Sequence, residues 1–217
     1  MGILYGVGIG PGDPELITLK ALNVLKTCDV IFLPSNRGYS LAEAVIEDYL
    51  GDAKRVYLEF PMGEDNNRAY KNAAMEIFHI LSGDKKGAFV TLGDPMCYST
   101  FIYLFEEIKA LGVEVSIIPG VPSFSAVFSL LKIPFARKGQ SVLVTDKWFN
   151  ADEFINSDRV LLLKGSVNKE AILALKKMGY EVYYARRIFM EGEAIYTRED
   201  DMINDADYFS MIIGVRG

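Results

Sequence analysis

Two glycine-punctuated segments hold the residues whose types and spacing could do chemistry. The first is Gly6-Val7-Gly8-Ile9-Gly10-Pro11-Gly12-Asp13-Pro14. It follows an apolar run that reads as a buried strand and precedes a helical pattern, and ligands of α/β proteins collect at such carboxyl strand ends. Its glycines allow a tight turn and a close approach of backbone to ligand. The spacing is not a dinucleotide fingerprint, because G-x-G-x-x-G would need glycine at position 11, 13 or 15, where Pro11, Asp13 and Glu15 stand. A P-loop fails too, since no Gly-Lys-Ser/Thr follows. A ligand loop and a plain turn, with Asp13 beside the next helix's N-terminus, both remain open.

The second segment is Leu92-Gly93-Asp94-Pro95-Met96-Cys97-Tyr98-Ser99-Thr100. Asp94 here would sit at a strand end, where a carboxylate suits a ligand bearing a positive sulfonium and ribose hydroxyls. The plainer reading has Asp94 bonding its own backbone, as Asp before Pro commonly does. A third segment, Pro119-Gly120-Val121-Pro122-Ser123-Phe124-Ser125, opens a helix whose free N–H groups could meet an anion, or whose Ser123 is simply a cap. A fourth, Leu161-Leu162-Leu163-Lys164-Gly165, is a strand end with one lysine.

These segments need a frame of alternating strands and helices. The pattern predicts strands at 3–7, 30–33 (stopped by Pro34), 55–59, 88–92 and 114–118, with helices at 18–27, 41–50, 66–81 and 100–110. The Pro-Gly-x-Pro hinge sets the domain boundary at 118/119. Beyond it the pattern predicts helices at 123–131 and 169–177. Strands are expected near 142–144, 160–163, 182–185, 188–191, 194–196 and 209–215. The first sheet is expected to be mostly parallel and the second mixed.

Composition narrows the function classes. The chain has 217 residues, 50% hydrophobic and 24% charged, as expected of a folded α/β protein. Two distant cysteines, Cys28 and Cys97, and one histidine argue against a zinc site. A formal charge of −6 without a long basic block argues against nucleic acid. No apolar run is long enough for a bilayer and the N-terminus lacks signal-peptide features, so no membrane partner and a cytoplasmic location are expected.

Taken in order, the G-x-G-P-G-D loop, the G-D-P loop, the P-G-x-x-S hinge and the later strand end resemble the tetrapyrrole methylase family across essentially the whole chain. Phe60-Pro61-Met62, the run from Gly93 to Phe101 and Pro119 to Phe124 look most similar to members that methylate C20 of precorrin-2 or cobalt-factor II, an early step of cobalamin biosynthesis. The resemblance implies a two-lobed α/β fold with an interlobe cleft, S-adenosylmethionine as cofactor, a tetrapyrrole substrate and a homodimer. It implies cofactor contacts from Leu92, Gly93, Asp94, Cys97, Pro122, Ser123, Phe124 and Lys164. Lys164 departs from the apolar residue usual there. Pro11, Asp13 and Tyr98 would face the substrate. Arg37, Arg186 and Arg187 are nominated to meet its carboxylates, although each also suits a solvated surface. Asp13 and Asp94 are the candidate electrostatic stabilisers of the reaction. Competing readings are a sister methylase, a non-catalytic tetrapyrrole- or nucleotide-binding module, and a Rossmann oxidoreductase.

Overall fold

The computed structural model describes residues 2–60, 67–148 and 156–216. Pro61 and Met62, quoted above for the resemblance, lie outside the described residues. The chain forms two compact units, Met1–Pro122 and Ser123–Gly217.

The first unit is a five-stranded, all-parallel sheet in the order β3-β2-β4-β1-β5. Its strands are β1 (Ile3–Gly8), β2 (Val30–Ser35), β3 (Lys54–Glu59), β4 (Lys86–Thr91) and β5 (Glu114–Ile118). Parallel strands need crossovers, supplied by α1 (Leu19–Leu25), α2 (Leu41–Ile46), α3 (Asn67–Ile80) and α4 (Thr100–Ala110). Side-chain alternation sends Val7, Ile31 and Val90 to the face covered by Ala21 and Leu25 of α1 and by Val45 and Ile46 of α2. Leu4, Phe32 and Phe89 point to the opposite face, under Ala73 and Ile77 of α3 and Phe101 and Leu104 of α4.

The order of strands has a consequence for function. β1 and β4 are neighbours, yet the helices that follow them lie on opposite faces. The chain therefore diverges above and below the sheet at their carboxyl ends, which leaves the crevice typical of a topological switch point.

Pro34 does not stop its strand. It pairs in register with Leu58 of β3, while pairing of β2 with β4 ends at Phe32. The Ser35 carbonyl accepts from Phe60 N–H on the β3 side. One residue earlier, the main chain of Pro34 faces the side where pairing has ended, so no ladder bond is missing.

The second unit has the mixed sheet β6-β7-β10-β8-β9, in which only β6 and β7 pair in parallel. Its strands are β6 (Val142–Thr145), β7 (Arg159–Leu163), β8 (Glu181–Arg186), β9 (Ala194–Tyr196) and β10 (Ser210–Val215). α5 (Ser123–Leu131) covers one face through Val127 and Phe128. α6 (Glu170–Lys177) and α7 (Glu199–Asn204) cover the other through Ile172, Leu175 and Met202.

The structure departs from the sequence reading at two places in this unit. Residues 188–191 are a turn, not a strand, with Arg187 and Phe189 at φ +47 and +60. Such left-handed residues break a ladder. α7 was not legible because its six residues, Glu-Asp-Asp-Met-Ile-Asn, present one buried side chain, Met202.

Candidate functional site

Three loops leave the adjacent strands β4, β1 and β5 at their carboxyl ends, and they meet backbone to backbone. A Cβ on Gly120 would stand 2.1 Å from the Gly93 carbonyl oxygen and 2.8 Å from the Gly8 carbonyl carbon. A Cβ on Gly8 would stand 2.6 Å from both Gly120 N and Gly93 O. Real Cβ contacts are not this short, so only glycine permits the three main chains to touch. Gly93 N–H donates to Gly10 O at 2.7 Å, and both glycines have positive φ. The result is a floor of three main chains packed directly on one another at the switch point.

Asp94 locks that floor. One carboxylate oxygen accepts from Met96 N–H at 2.8 Å within its own loop, and the other from Gly120 N–H at 3.0 Å in the loop after β5. The base of the Asp94 loop is closed by Thr91 and Ser99, whose hydroxyls lie 3.0 Å apart, and Ser99 also caps α4 by accepting from Phe101 N–H. Phe101 in turn packs its ring where a Cβ of Gly6 would be. The turn reading of Asp94 holds, and the carboxylate does more than close its own turn. It makes the expected turn bond, and it joins two loops that the sequence had marked separately.

Asp13 caps the short 3-10 turn Pro14–Leu16, accepting from Glu15 N–H at 2.8 Å. Pro11 is buried beside it. Cys97 is exposed, and burial of its sulfur followed by the charge of Asp94 raises its thiol pKa. It is therefore a neutral thiol rather than a nucleophilic thiolate. Leu92 packs against the α1/α2 face of the core, and Tyr98 is exposed with φ +50. Pro122 lies 3.7 Å from a Cβ built on Gly93.

In the second unit, Ser123 and Phe124 open α5, and Phe124 faces the ring of Phe135. Lys164 follows β7 in left-handed conformation and pairs through Nζ with Asp146 at 3.2 Å. No local signal marks Asn168, which organises this strand end. It is buried, donates to the carbonyls of Leu163 and Lys164 at 3.1 and 3.2 Å, and accepts from Trp148 N–H. Arg186 donates to Asp205 at 3.0 Å and to Gly192 O, with Tyr196 beneath its guanidinium. Asp205 is buried and also accepts from Tyr184 OH, so the guanidinium of Arg186 is largely committed to the fold. Arg187 bonds Asp207. Burial alone would raise the Asp207 pKa, but Arg187 and the Phe209 N–H outweigh it and leave the pKa lowered.

Seven described non-glycine residues have positive φ, and four of them are Arg37, Tyr98, Lys164 and Arg187. Each follows a strand's carboxyl end. Among the described residues, no group of three or more His, Cys, Asp or Glu could hold a metal ion. No described helix is long and apolar enough to cross a membrane.

Comparison with known proteins adds a second line. The family model for tetrapyrrole (corrin/porphyrin) methylases matches residues 3–202. The probable cobalt-precorrin-2 C(20)-methyltransferase of Methanocaldococcus jannaschii is 34% identical, with 97% of this chain and 94% of that protein aligned. The cobalt-precorrin-2 C(20)-methyltransferase of Salmonella typhimurium is 36% identical over 66% of this chain and 62% of that one. The crystal structure of a cobalt precorrin-4 methyltransferase superposes with a TM-score of 0.80, covering 98% of this chain and 94% of that one, at 21% identity. A uroporphyrin-III C-methyltransferase from Thermus thermophilus, complexed with S-adenyl homocysteine, superposes with a TM-score of 0.72 at 21% identity, over 99% and 92% of the two chains. At these identities the structural matches speak to the fold.

Proposed function

Since the chain belongs to the tetrapyrrole (corrin/porphyrin) methylase family, we propose that it transfers a methyl group from S-adenosylmethionine to C20 of precorrin-2 or its cobalt form. The observation that carries the substrate choice is the 34% identity to a relative named for that reaction over 97% of this chain.

The residues at the carboxyl edge fit the cofactor. The main chains of Gly8, Gly93 and Gly120 pack on one another and fix three loops at the carboxyl edge, where α/β sheets receive ligands. Each Asp94 oxygen, already holding one N–H, keeps a lone pair for a hydroxyl or a cationic centre. Leu92, Gly93, Asp94, Cys97, Pro122, Ser123, Phe124 and Lys164 are the residues we assign to the cofactor. When bound, the cofactor supplies an activated methyl group on a positive sulfur, and transfer requires an in-line approach by the acceptor carbon.

The work left to this chain is alignment and electrostatics. Asp94 fixes the loops after β4 and β5 to each other, so the floor is formed before any ligand arrives and little ordering remains to be done on binding. The neutral thiol of Cys97 offers no competing nucleophile to the methyl group. Pro11, Asp13, Tyr98 and Arg37 are assigned to the substrate, whereas Arg186 and Arg187, nominated with them, already pair with Asp205 and Asp207. Arg37 is the one of the three cations whose guanidinium pairs with no described carboxylate.

Calorimetric titration with S-adenosylhomocysteine, followed by turnover of metal-free and cobalt precorrin-2, tests this reading. Saturable binding and a product one methyl heavier, placed at C20 by NMR, are expected. A folded protein that binds no S-adenosylhomocysteine would remove the methyltransferase reading. Methylation at another ring carbon would remove the substrate choice alone.

A further inference from the structure

The loop after β2 supports an inference that rests on the function just proposed. Asn36 and Tyr39 exchange both backbone hydrogen bonds, at 3.0 and 3.2 Å, around a two-residue hairpin turn of Arg37 and Gly38. Both central residues have positive φ, +54 and +77. That is the type I′ pattern, whose preferred pair is Asn-Gly. Gly38 fits the rule and Arg37 breaks it, because a left-handed conformation penalises a long side chain with a Cβ. A residue that the turn disfavours suggests selection for its side chain.

The turn is held from behind by Glu59, the last residue of β3. Its carboxylate accepts from Ser35 Oγ at 2.8 Å, from Gly38 N–H at 2.8 Å and from Arg37 N–H at 3.0 Å. Both central amides of the turn are thereby used, so its capacity to bind an anion resides in the guanidinium. Arg37 is exposed and pairs with no described carboxylate. β2 runs parallel to β4, which runs parallel to β1. The turn therefore stands on the same sheet edge as the Asp94 floor, two strands from β1.

We infer that Arg37 is a specificity-determining residue that clamps a carboxylate of a polycarboxylate macrocycle, and that Glu59 is the positioning residue that aims it. A guanidinium matches a carboxylate through two parallel hydrogen bonds, which gives direction as well as charge. Glu59 acts through Arg37 and is not itself assigned to the substrate.

The test uses the whole protein, with steady-state methyl transfer to precorrin-2, S-adenosylhomocysteine calorimetry and thermal melting. Arg37→Asn installs the preferred turn pair, so the melting temperature should hold or rise. Cofactor affinity and kcat should stay within about twofold, while KM for the macrocycle rises by about tenfold, the loss expected of one charge-assisted contact. Arg37→Lys should recover part of that loss. Glu59→Gln should raise KM several-fold in the natural background and add nothing in the Arg37→Asn background. An unchanged KM in Arg37→Asn overturns the clamp, and full additivity of the two substitutions overturns the positioning role. A natural protein that binds cofactor but neither binds nor methylates the macrocycle overturns this inference together with the substrate choice. Loss of cofactor binding in the natural protein would overturn the function itself.

Discussion

Replacing Asp94 by Asn separates the two roles that its carboxylate combines. The substitution keeps size and shape but leaves one acceptor oxygen where there were two. Met96 N–H at 2.8 Å and Gly120 N–H at 3.0 Å both point at the carboxylate. The amide can serve only one of them, and its NH2 then faces the other donor. Hydrogen bonds to a charged group contribute about 1.5–3 kcal/mol. Because the Asp94 side chain is half-buried and water can reach it, the lower half, about 1.5–2 kcal/mol, is the fair figure. For a chain of this size, roughly 2–4 °C of melting temperature corresponds to each kcal/mol, so a fall of roughly 3–8 °C is expected. If the loops after β4 and β5 form the cofactor floor, S-adenosylhomocysteine measured well below the melting point should bind about tenfold or more weakly, since 1.4 kcal/mol is a factor of ten. Differential scanning fluorimetry and calorimetry on the same sample read both. The expected melting shift with unchanged affinity would show that Asp94 only staples loops, and the assignment of the floor to the cofactor would fall. Absence of both effects would refute the hydrogen-bond reasoning itself.

Further outcomes follow from the same geometry. Gly120→Ala places a Cβ against two backbones with no flexible side chain to yield, so the loops must part and both stability and cofactor affinity should fall more than in Asp94→Asn; a melting curve like that of the natural protein would refute the close approach. Burial and the neighbouring Asp29 push the Cys28 thiol up to about 12, so at pH 8 an alkylating reagent should modify Cys97, slowly, and reach Cys28 only after denaturation, as read by peptide mass spectrometry. The Ser35 hydroxyl, followed by the Gly38 and Arg37 amides, holds the Glu59 carboxyl below its ordinary value of 4.5. A depressed native pKa stabilises the fold above the unfolded value and is lost as pH falls through the native one. The difference in melting temperature between the natural protein and Glu59→Gln should therefore be flat above about pH 5 and shrink in more acid solution; a difference independent of pH would show that the three bonds do not depend on the charge.

Most of the frame was legible in the sequence because it rests on local rules. Residues 30–33 of β2 and 87–90 of β4 are apolar because both faces of these strands are covered, and a continuous apolar run is how such strands read. α4 begins after Ser99, whose hydroxyl caps it, and α5 opens on Ser123 just after Pro122; a serine after loop residues and before an apolar run is a signal within a few positions. The order of four glycine- and proline-marked loops sufficed to place the chain in its family. The misses have local causes as well. Proline was read as a strand breaker without knowledge of which neighbour its nitrogen would face, and residues 188–191 were read by hydrophobicity although their backbone turns.

Only the tertiary structure decided how the marked residues meet. Nothing in the spacing of Gly8, Gly93 and Gly120 shows that three distant loops touch, because that follows from β1 lying between β4 and β5 in the sheet. Asp94 and Gly120 are 26 residues apart, and their hydrogen bond exists only once β4 and β5 flank the same strand. The division of the arginines was equally hidden. Arg186 and Arg187 were indistinguishable from Arg37 by type, yet Asp205 and Asp207 pair with the first two and not with the third. Glu59 and Asn168 carried no signal at all, since a single polar residue at a strand or helix end acquires its meaning from partners that the fold brings to it. Local propensity thus fixes the elements, whereas contacts between residues far apart in sequence decide which side chains act together.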